Sequence, residues 1–268
     1  PVGASFGAEP WLVSATAGAE LSAHGRTDHD GRVELTPALG DLLSLGSSPD
    51  GRLLAGYGDE RVFYVHDLED LSVRYTAIDT RDESSTPSFD ADGSLVSLGR
   101  VVLDAETLEA RHVIQLEDAL VRSAFAEDGA LFAVGLASDP KARDAGADVE
   151  LVRCSNFGDE GEVEELRALL GVREGTVPGL AVRGVRAYVA FATGRVDCVD
   201  TRTLEVVWSS TLDVVEIVGV AVSPETGEVF VGSRDGLVRV LDGATGIELE
   251  GRSWRVSTKN AIQGLVSS

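Results

Sequence analysis

Four aspartates stand at matching places along the chain and could, as a set, do chemistry: Asp67 in YVHDLEDL, Asp104 in VVLDAETL, Asp200 in DCVDTRTL and Asp242 in VRVLDGATG. Two carboxylates held together can divide acid and base work, and several oxygens can gather a calcium ion. Matching places in successive repeating units spread these four apart, one per unit, so each is expected to hydrogen-bond its own turn. The cysteines, Cys154 and Cys198, fall at the ends of third strands in adjacent units, too far apart for a disulfide. They are expected to be reduced, buried and inert. His24, His66 and His112 lie at or just past third or fourth strands, where packing is the expected role, and His29 sits in the turn RTDHDG (residues 26–31). Asp28 and Asp30 of that turn offer too few oxygens for a calcium loop. No Cys-x-x-Cys, His-Glu-x-x-His or phosphate-cradling glycine loop occurs. No catalytic, cofactor-binding or metal-binding residue is expected.

The elements that position these residues come from two landmarks that repeat in phase. The first is a turn feeding a second strand: SSPDGRLLAGYG (47–58), SFDADGSLVSLG (88–99), AFAEDGALFAVG (124–135), AVRGVRAYVAFA (181–192) and AVSPETGEVFVG (221–232), with a worn copy in SFGAEPWLVSATAG (5–18). Pro-Asp-Gly and Asp-Gly supply the preset φ and the φ > 0 position of a tight strand-to-strand turn. The second landmark is the aspartate that closes each third strand, with degenerate forms at Gly25 and Ser155. From Gly25 to Asp242 the spacing averages about 43 residues, which divides the chain into about six units. The clearest copy, within residues 213–255, has four runs of Val, Ile, Leu and Phe parted by turns, hence four antiparallel strands.

On these motifs the chain resembles WD40-type and quinoprotein-like β-propellers over about residues 1–268. The resemblance implies an all-β fold of four-stranded antiparallel blades forming one domain. The repeats are expected at 1–39, 40–82, 84–116, 118–166, 171–212 and 213–255. Residues 257–268 match a first strand again and are expected as an extra inner strand; six blades are preferred, and seven with an incomplete last blade is the rival. The Trp-Asp dipeptide of WD40 repeats is replaced by His66-Asp67, Leu103-Asp104, Val199-Asp200 and Leu241-Asp242, and the Gly-His pair is missing. VDTRTLEVVW (199–208) resembles the docking motif of quinoprotein repeats, with Trp208 eight residues after Asp200; the same offset elsewhere holds Tyr75, His112 and Glu250. The function implied is a non-catalytic scaffold for protein–protein interaction, a sensor or recognition module of a larger protein or complex. The alternative is a propeller enzyme with a metal or quinone in the central channel. For that, the chain offers only Asn156 and Asn260 beside its acids, and three tryptophans.

Composition narrows the partners. The 268 residues carry a net charge of −22, and the only lysines are Lys141 and Lys259, so nucleic acid is not an expected partner. A protein with a basic patch is. Such acidity fits a GC-rich or salt-adapted host, bacterial or archaeal. No 18-residue apolar run exists, so no helical membrane span is expected. Residues 1–7 lack the basic start and apolar core of a secretory leader, and with no Met in the chain Pro1 is expected to be a processed or excised start. Two free thiols point to a reducing compartment, the cytoplasm.

Taken in order, the first unit is expected to have strands near 2–6, 11–16, 20–24 and 32–36. The unit at 84–116 is the shortest, with Gly99-Arg100 alone joining its second and third strands, and the unit at 118–166 is the longest, through the insertion ASDPKARDAGAD at 137–148. Its fourth strand, near 162–170, has a spacing that also fits one or two helical turns. The expected partner-binding edge carries the second-to-third-strand loops and the connections between units: Asp59, Glu60 and Arg61, then Asp79, Arg81, Asp82 and Glu83, then Lys141, Arg143 and Asp144 of the insertion.

Overall fold

Successive short apolar runs bounded by Asp-Gly turns fold back on one another, and among the described residues of the computed structural model they form six antiparallel sheets. The structure describes residues 12–15, 21–24, 32–35, 42–58, 60–78, 85–116, 121–137, 149–157, 162–171 and 176–256. Among them there is no helix, and so none long and apolar enough to cross a membrane.

The first sheet joins β1 (Leu12–Ala15), β2 (Leu21–His24) and β3 (Arg32–Leu35). These match the second to fourth strands expected of the first unit; the strand expected near 2–6 lies outside the described residues. The second sheet is β4 (Leu42–Ser47), β5 (Leu53–Gly58), β6 (Val62–Asp67) and β7 (Val73–Ala77), and the third is β8 (Ser88–Phe89), β9 (Leu95–Leu98), β10 (Val101–Asp104) and β11 (Ala110–Val113). The fourth is β12 (Arg122–Phe125), β13 (Leu131–Leu136), β14 (Val149–Ser155) and β15 (Glu164–Leu169), and the fifth is β16 (Gly179–Arg183), β17 (Arg186–Ala190), β18 (Arg195–Asp200) and β19 (Val206–Thr211). The sixth is β20 (Ile217–Val222), β21 (Val229–Ser233), β22 (Leu237–Leu241) and β23 (Trp254–Arg255). The ambiguous stretch near 162–170 is a strand. It pairs with β14 from Glu150↔Leu169 to Ser155↔Glu164 and so continues three residues past the repeat boundary expected at 166. The insertion at 137–148 beyond Ala137, and the tail 257–268, lie outside the described residues.

Alternation of side chains across each strand decides how the sheets stack. In β13, Leu131 and Ala133 join Val102 and Ile114 of the third sheet, whereas Phe132 and Val134 join Val189 and Phe191 of the fifth. The second sheet meets the third through Tyr57, Phe63 and Val65 against Val96 and Leu103, and the fifth meets the sixth through Val196 and Cys198 against Val229 and Val231. Second and third strands are therefore apolar on both faces, which is why they read as short continuous runs in the sequence. Fourth strands pair on one side only and stay largely exposed, as in β7 and β11.

The first strands of consecutive sheets approach closely where glycine stands. A Cβ at Gly46 would collide with the carbonyl of Pro87, and one at Gly179 would lie 2.7 Å from the backbone nitrogen of Val220. Backbone cannot rotate out of the way as a side chain can. Gly179→Ala is expected to lower stability by about 1–3 kcal/mol, the usual range for overpacking, as read by urea unfolding; an unchanged midpoint would mean that β16 and β20 are not so close.

Four third-to-fourth-strand turns close through a left-handed residue four positions after an aspartate. These are Leu71 (φ 61°), Leu108 (φ 57°), Leu204 (φ 58°) and Gly246 (φ 72°). In three of them that residue's N–H donates to the aspartate's carbonyl: Leu108 to Asp104 (2.9 Å), Leu204 to Asp200 (2.9 Å) and Gly246 to Asp242 (2.8 Å). A left-handed leucine is strained by about 1–2 kcal/mol. Leu71 is exposed, while Leu204 is buried under the fifth sheet. Leu71→Gly is thus expected to raise stability by up to about 1 kcal/mol once the extra freedom of unfolded glycine is counted. Leu204→Gly should lower it, because burying a leucine side chain contributes about 1.5–3 kcal/mol. Thermal melts of the two variants that shift the same way would refute the contrast.

Candidate functional site

The four recurrent aspartates are committed to their turns. Asp67 Oδ1 accepts the N–H of Glu69 (2.9 Å), Asp104 Oδ1 those of Glu106 (3.0 Å) and Thr107 (2.8 Å), Asp200 Oδ1 that of Arg202 (2.9 Å), and Asp242 Oδ1 those of Ala244 (3.1 Å) and Thr245 (2.8 Å). In three turns the second oxygen takes an arginine: Arg52 on Asp67 (2.7 Å), Arg111 on Asp104 (2.7 Å) and Arg186 on Asp200 (2.9 Å). The arginine fork, with the backbone donors, brings the Asp104 carboxyl down to about 2. Thr245 does the same in direction for Asp242, and the N–H of Arg202 for Asp200. Burial opposes ionisation of Asp67, but Arg52 and the turn N–H groups outweigh it. Carboxylates held this firmly in the charged form cannot pass protons near neutrality. The arginines were not legible beforehand, because Arg111 reaches Asp104 from the fourth strand while Arg52 and Arg186 do so from the start of the second.

A cleft of about 400 Å³ opens between the third and fourth sheets, at the end that carries the first-to-second and third-to-fourth-strand turns. Ser94, Leu95, Asp104 and Arg111 line it from the third sheet, Gly129, Asn156 and Phe157 from the fourth. Phe157 packs edge-on against Phe125 (6.0 Å between centroids) and His112 (6.3 Å).

Beside it, polar groups of the two sheets meet. His112 on β11 places Nε2 2.8 Å from Glu165 Oε1 on β15. Glu165 Oε2 accepts from Arg167 Nε (3.1 Å) and Nη2 (2.5 Å), and Arg167 Nη1 donates to Glu150 (3.0 Å) and to the carbonyl of Gln115 across the boundary (3.2 Å). Burial works against the Glu165 carboxylate, yet Arg167 and His112 keep it below its ordinary range. Cys154 lies directly opposite Glu165 in the β14–β15 register, and its Sγ, His112 nitrogen and a Glu165 oxygen all fall within 4.8 Å of one another.

Cysteine, histidine and carboxylate in that proximity are the parts of a nucleophilic triad. Access and ionisation both oppose that chemistry here. Cys154 has no exposed surface, lies among Val102, Ile114, Leu131 and Val152, and burial pushes its thiol up to about 12. Cys198 is likewise buried, free and pushed up to about 12 by burial. The two thiols belong to different interfaces, consistent with the separation expected of them. His112 packs against Phe157, as expected, and also hydrogen-bonds across the sheets to Glu165, a partner 53 residues away that left no spacing to read.

Of the residues expected at the partner-binding edge, Glu60 and Arg61 are exposed in the loop between β5 and β6, Arg61 with φ 58°. Asp59, Asp79, Arg81, Asp82, Glu83, Lys141, Arg143 and Asp144 lie outside the described residues. The β5–β6 loop with Glu60 and Arg61 is at the opposite end of the strands from the turns that line the cleft.

No protein-family model matches the sequence, and no curated protein matches it. Among solved structures, the chain is similar to one in the crystal structure of a mitotic checkpoint complex, at 12% identity, with 98% of this chain and 79% of that chain covered and a TM-score of 0.74. The fold is a β-propeller. Its sheets are blades, and the docking expected of Trp208 is seen: Nε1 donates to the carbonyl of Gly243 in the next blade (3.1 Å), a carbonyl also taken by Tyr188 Oη (3.2 Å), while the indole packs on Gly246. His112, at the same offset from Asp104 as Trp208 from Asp200, docks on the next blade through Glu165. With 1663 matching chains of solved structure, the propeller is too common a fold to carry a function with it.

Proposed function

We propose that this propeller is a non-catalytic scaffold for protein–protein interaction, serving as a recognition or sensor module of a larger protein or complex. The observation that carries this reading is the fate of its reactive groups. Among the described residues the recurrent carboxylates are fixed in turns, both thiols are buried and His66 is enclosed in the second blade, which favours loops and surface charge as the means of recognition. That the similar solved chain comes from a multi-protein complex supports the same reading.

The partner is a protein with a basic patch, drawn by the net charge of −22 to the edge that carries Glu60 and Arg61 with Asp59, the 79–83 connection and the 137–148 insertion. Free buried thiols suit a reducing compartment such as the cytoplasm. The test is affinity capture followed by binding titrations at two salt concentrations, using the intact chain, a Glu60→Lys variant with Asp59→Lys, and a version lacking residues 140–146. Loss of affinity with salt and in the edge variants supports the proposal. Binding that is indifferent to all three changes removes this edge, and stoichiometric calcium or a quinone chromophore in the purified protein removes the non-catalytic reading.

A further inference from the structure

We infer that His112, Cys154 and Glu165 form a binding site for a thiophilic divalent cation, zinc foremost, which ties the third blade to the fourth. The three ligand atoms come from two blades and lie within 4.8 Å of one another. Imidazole nitrogen, thiolate sulfur and carboxylate oxygen are the set from which zinc takes its ligands at about 2.0–2.3 Å, so closure of the triangle requires only small side-chain rotations. Soft thiolate with imidazole selects zinc over calcium or magnesium, which prefer all-oxygen shells.

The surroundings match what a bound cation requires. Arg167 holds Glu165 through Oε2, so that Oε1, which meets His112 Nε2, is the oxygen that turns to the ion; outer contacts of this kind orient metal ligands. Phe157 packs edge-on against the His112 ring. Apolar Val102, Leu131 and Val152 enclose the sulfur side, while the His112 and Glu165 side chains keep 22% exposure each, which gives the ion its entry path and a fourth position for water. Charge also balances. Binding a doubly charged cation displaces the Cys154 thiol proton to solvent and moves the proton shared by His112 Nε2 and Glu165 Oε1 to His112 Nδ1; thiolate, neutral imidazole, carboxylate and ion then sum to zero, with Arg167 offset by Glu150.

The chain carries its own control. Cys198 is equally buried, but it lies opposite Trp208 in the β18–β19 register and packs with Tyr188, Val196 and Leu241. Among the described residues it belongs to no group of three or more His, Cys, Asp or Glu side chains placed to share an ion.

The experiment titrates the purified, chelator-treated chain with cobalt(II), followed by displacement with zinc in competition with a chromophoric chelator. One equivalent of cobalt should give a sulfur-to-cobalt charge-transfer band that zinc abolishes. Cys154→Ser and His112→Gln should eliminate the band, Arg167→Gln should weaken zinc binding by about 10–100-fold, and Cys198→Ser should leave it unchanged. Near-ultraviolet circular dichroism of each metal-free variant separates loss of ligands from loss of fold, and His112→Gln, at the rim, keeps the test available if Cys154→Ser is destabilised. A band that survives Cys154→Ser, a band that depends on Cys198, or no sulfur band at one equivalent overturns the inference.

Discussion

Lowering the pH from neutrality towards 4 should remove roughly 3 kcal/mol of stability through His66 alone, and His66→Leu should remove that dependence. His66 is 1% exposed, its Nε2 has no hydrogen-bond partner among the described residues, and burial carries its pKa from 6.5 down to about 4. The folded protein therefore takes up this proton later than the unfolded chain does. Stability from keeping the ring neutral is fully present above about 6.5, falls as the pH drops through the interval between the two values, and is gone below about 4, at about 1.36 kcal/mol for each unit of difference. Other carboxylates titrate at the lower end of the interval, so the quantity to measure is the difference between parent and His66→Leu in urea unfolding at pH 7, 5.5 and 4.5. Because Nε2 is unpaired, the leucine variant should be no less stable than the parent at pH 7. Parallel stability profiles for the two proteins would show that His66 is charged, or solvated, in the folded state.

The second large effect concerns the seam between the fourth and fifth blades. Phe132→Ala should lower stability by about 3–5 kcal/mol and Phe132→Leu by much less, since the loss follows both the apolar surface removed and the cavity left behind. Phe132 is fully buried and packs with Leu151 of its own blade and with Val189 and Phe191 of the next. In a stacked array each blade is held mainly by its neighbours, so a void at one seam weakens the coupling of everything on either side. Trp208 in the fifth blade provides the fluorescence readout of urea unfolding. A loss below about 1 kcal/mol would mean that the seam collapses around the missing ring or is not packed as described.

The architecture was legible because its determinants are local. Asp-Gly turns before second strands and aspartates after third strands act within a few residues, and their phase survives in Asp67, Asp104, Asp200 and Asp242. The stretch at 164–169 was ambiguous because Val163, Leu166 and Leu169 fit a helical spacing as well as a strand; pairing with β14 decided it. Nothing in the sequence announces a left-handed leucine, since leucine rarely adopts that backbone, and only the fixed distance of four from each aspartate marks Leu71, Leu108 and Leu204 in retrospect. Contacts between blades were the least readable. His112 with Glu165, and Trp208 with Gly243, join residues from different repeats, and of these only the tryptophan had a family pattern to point to it. The expected binding edge rested on loop position and charge, and the structure describes only Glu60 and Arg61 of it.

Middle strands whose side chains serve two neighbours in turn leave evolution little room to change the length of the chain. One residue added inside β13 would send Leu131 to where Phe132 belongs and reverse every later partner up to Leu136. Tolerated growth must then gather at the hairpin tips, where nothing downstream shifts in register. The distance between Gly99-Arg100 in one blade and the twelve-letter insertion at 137–148 in the next is what such a history leaves behind.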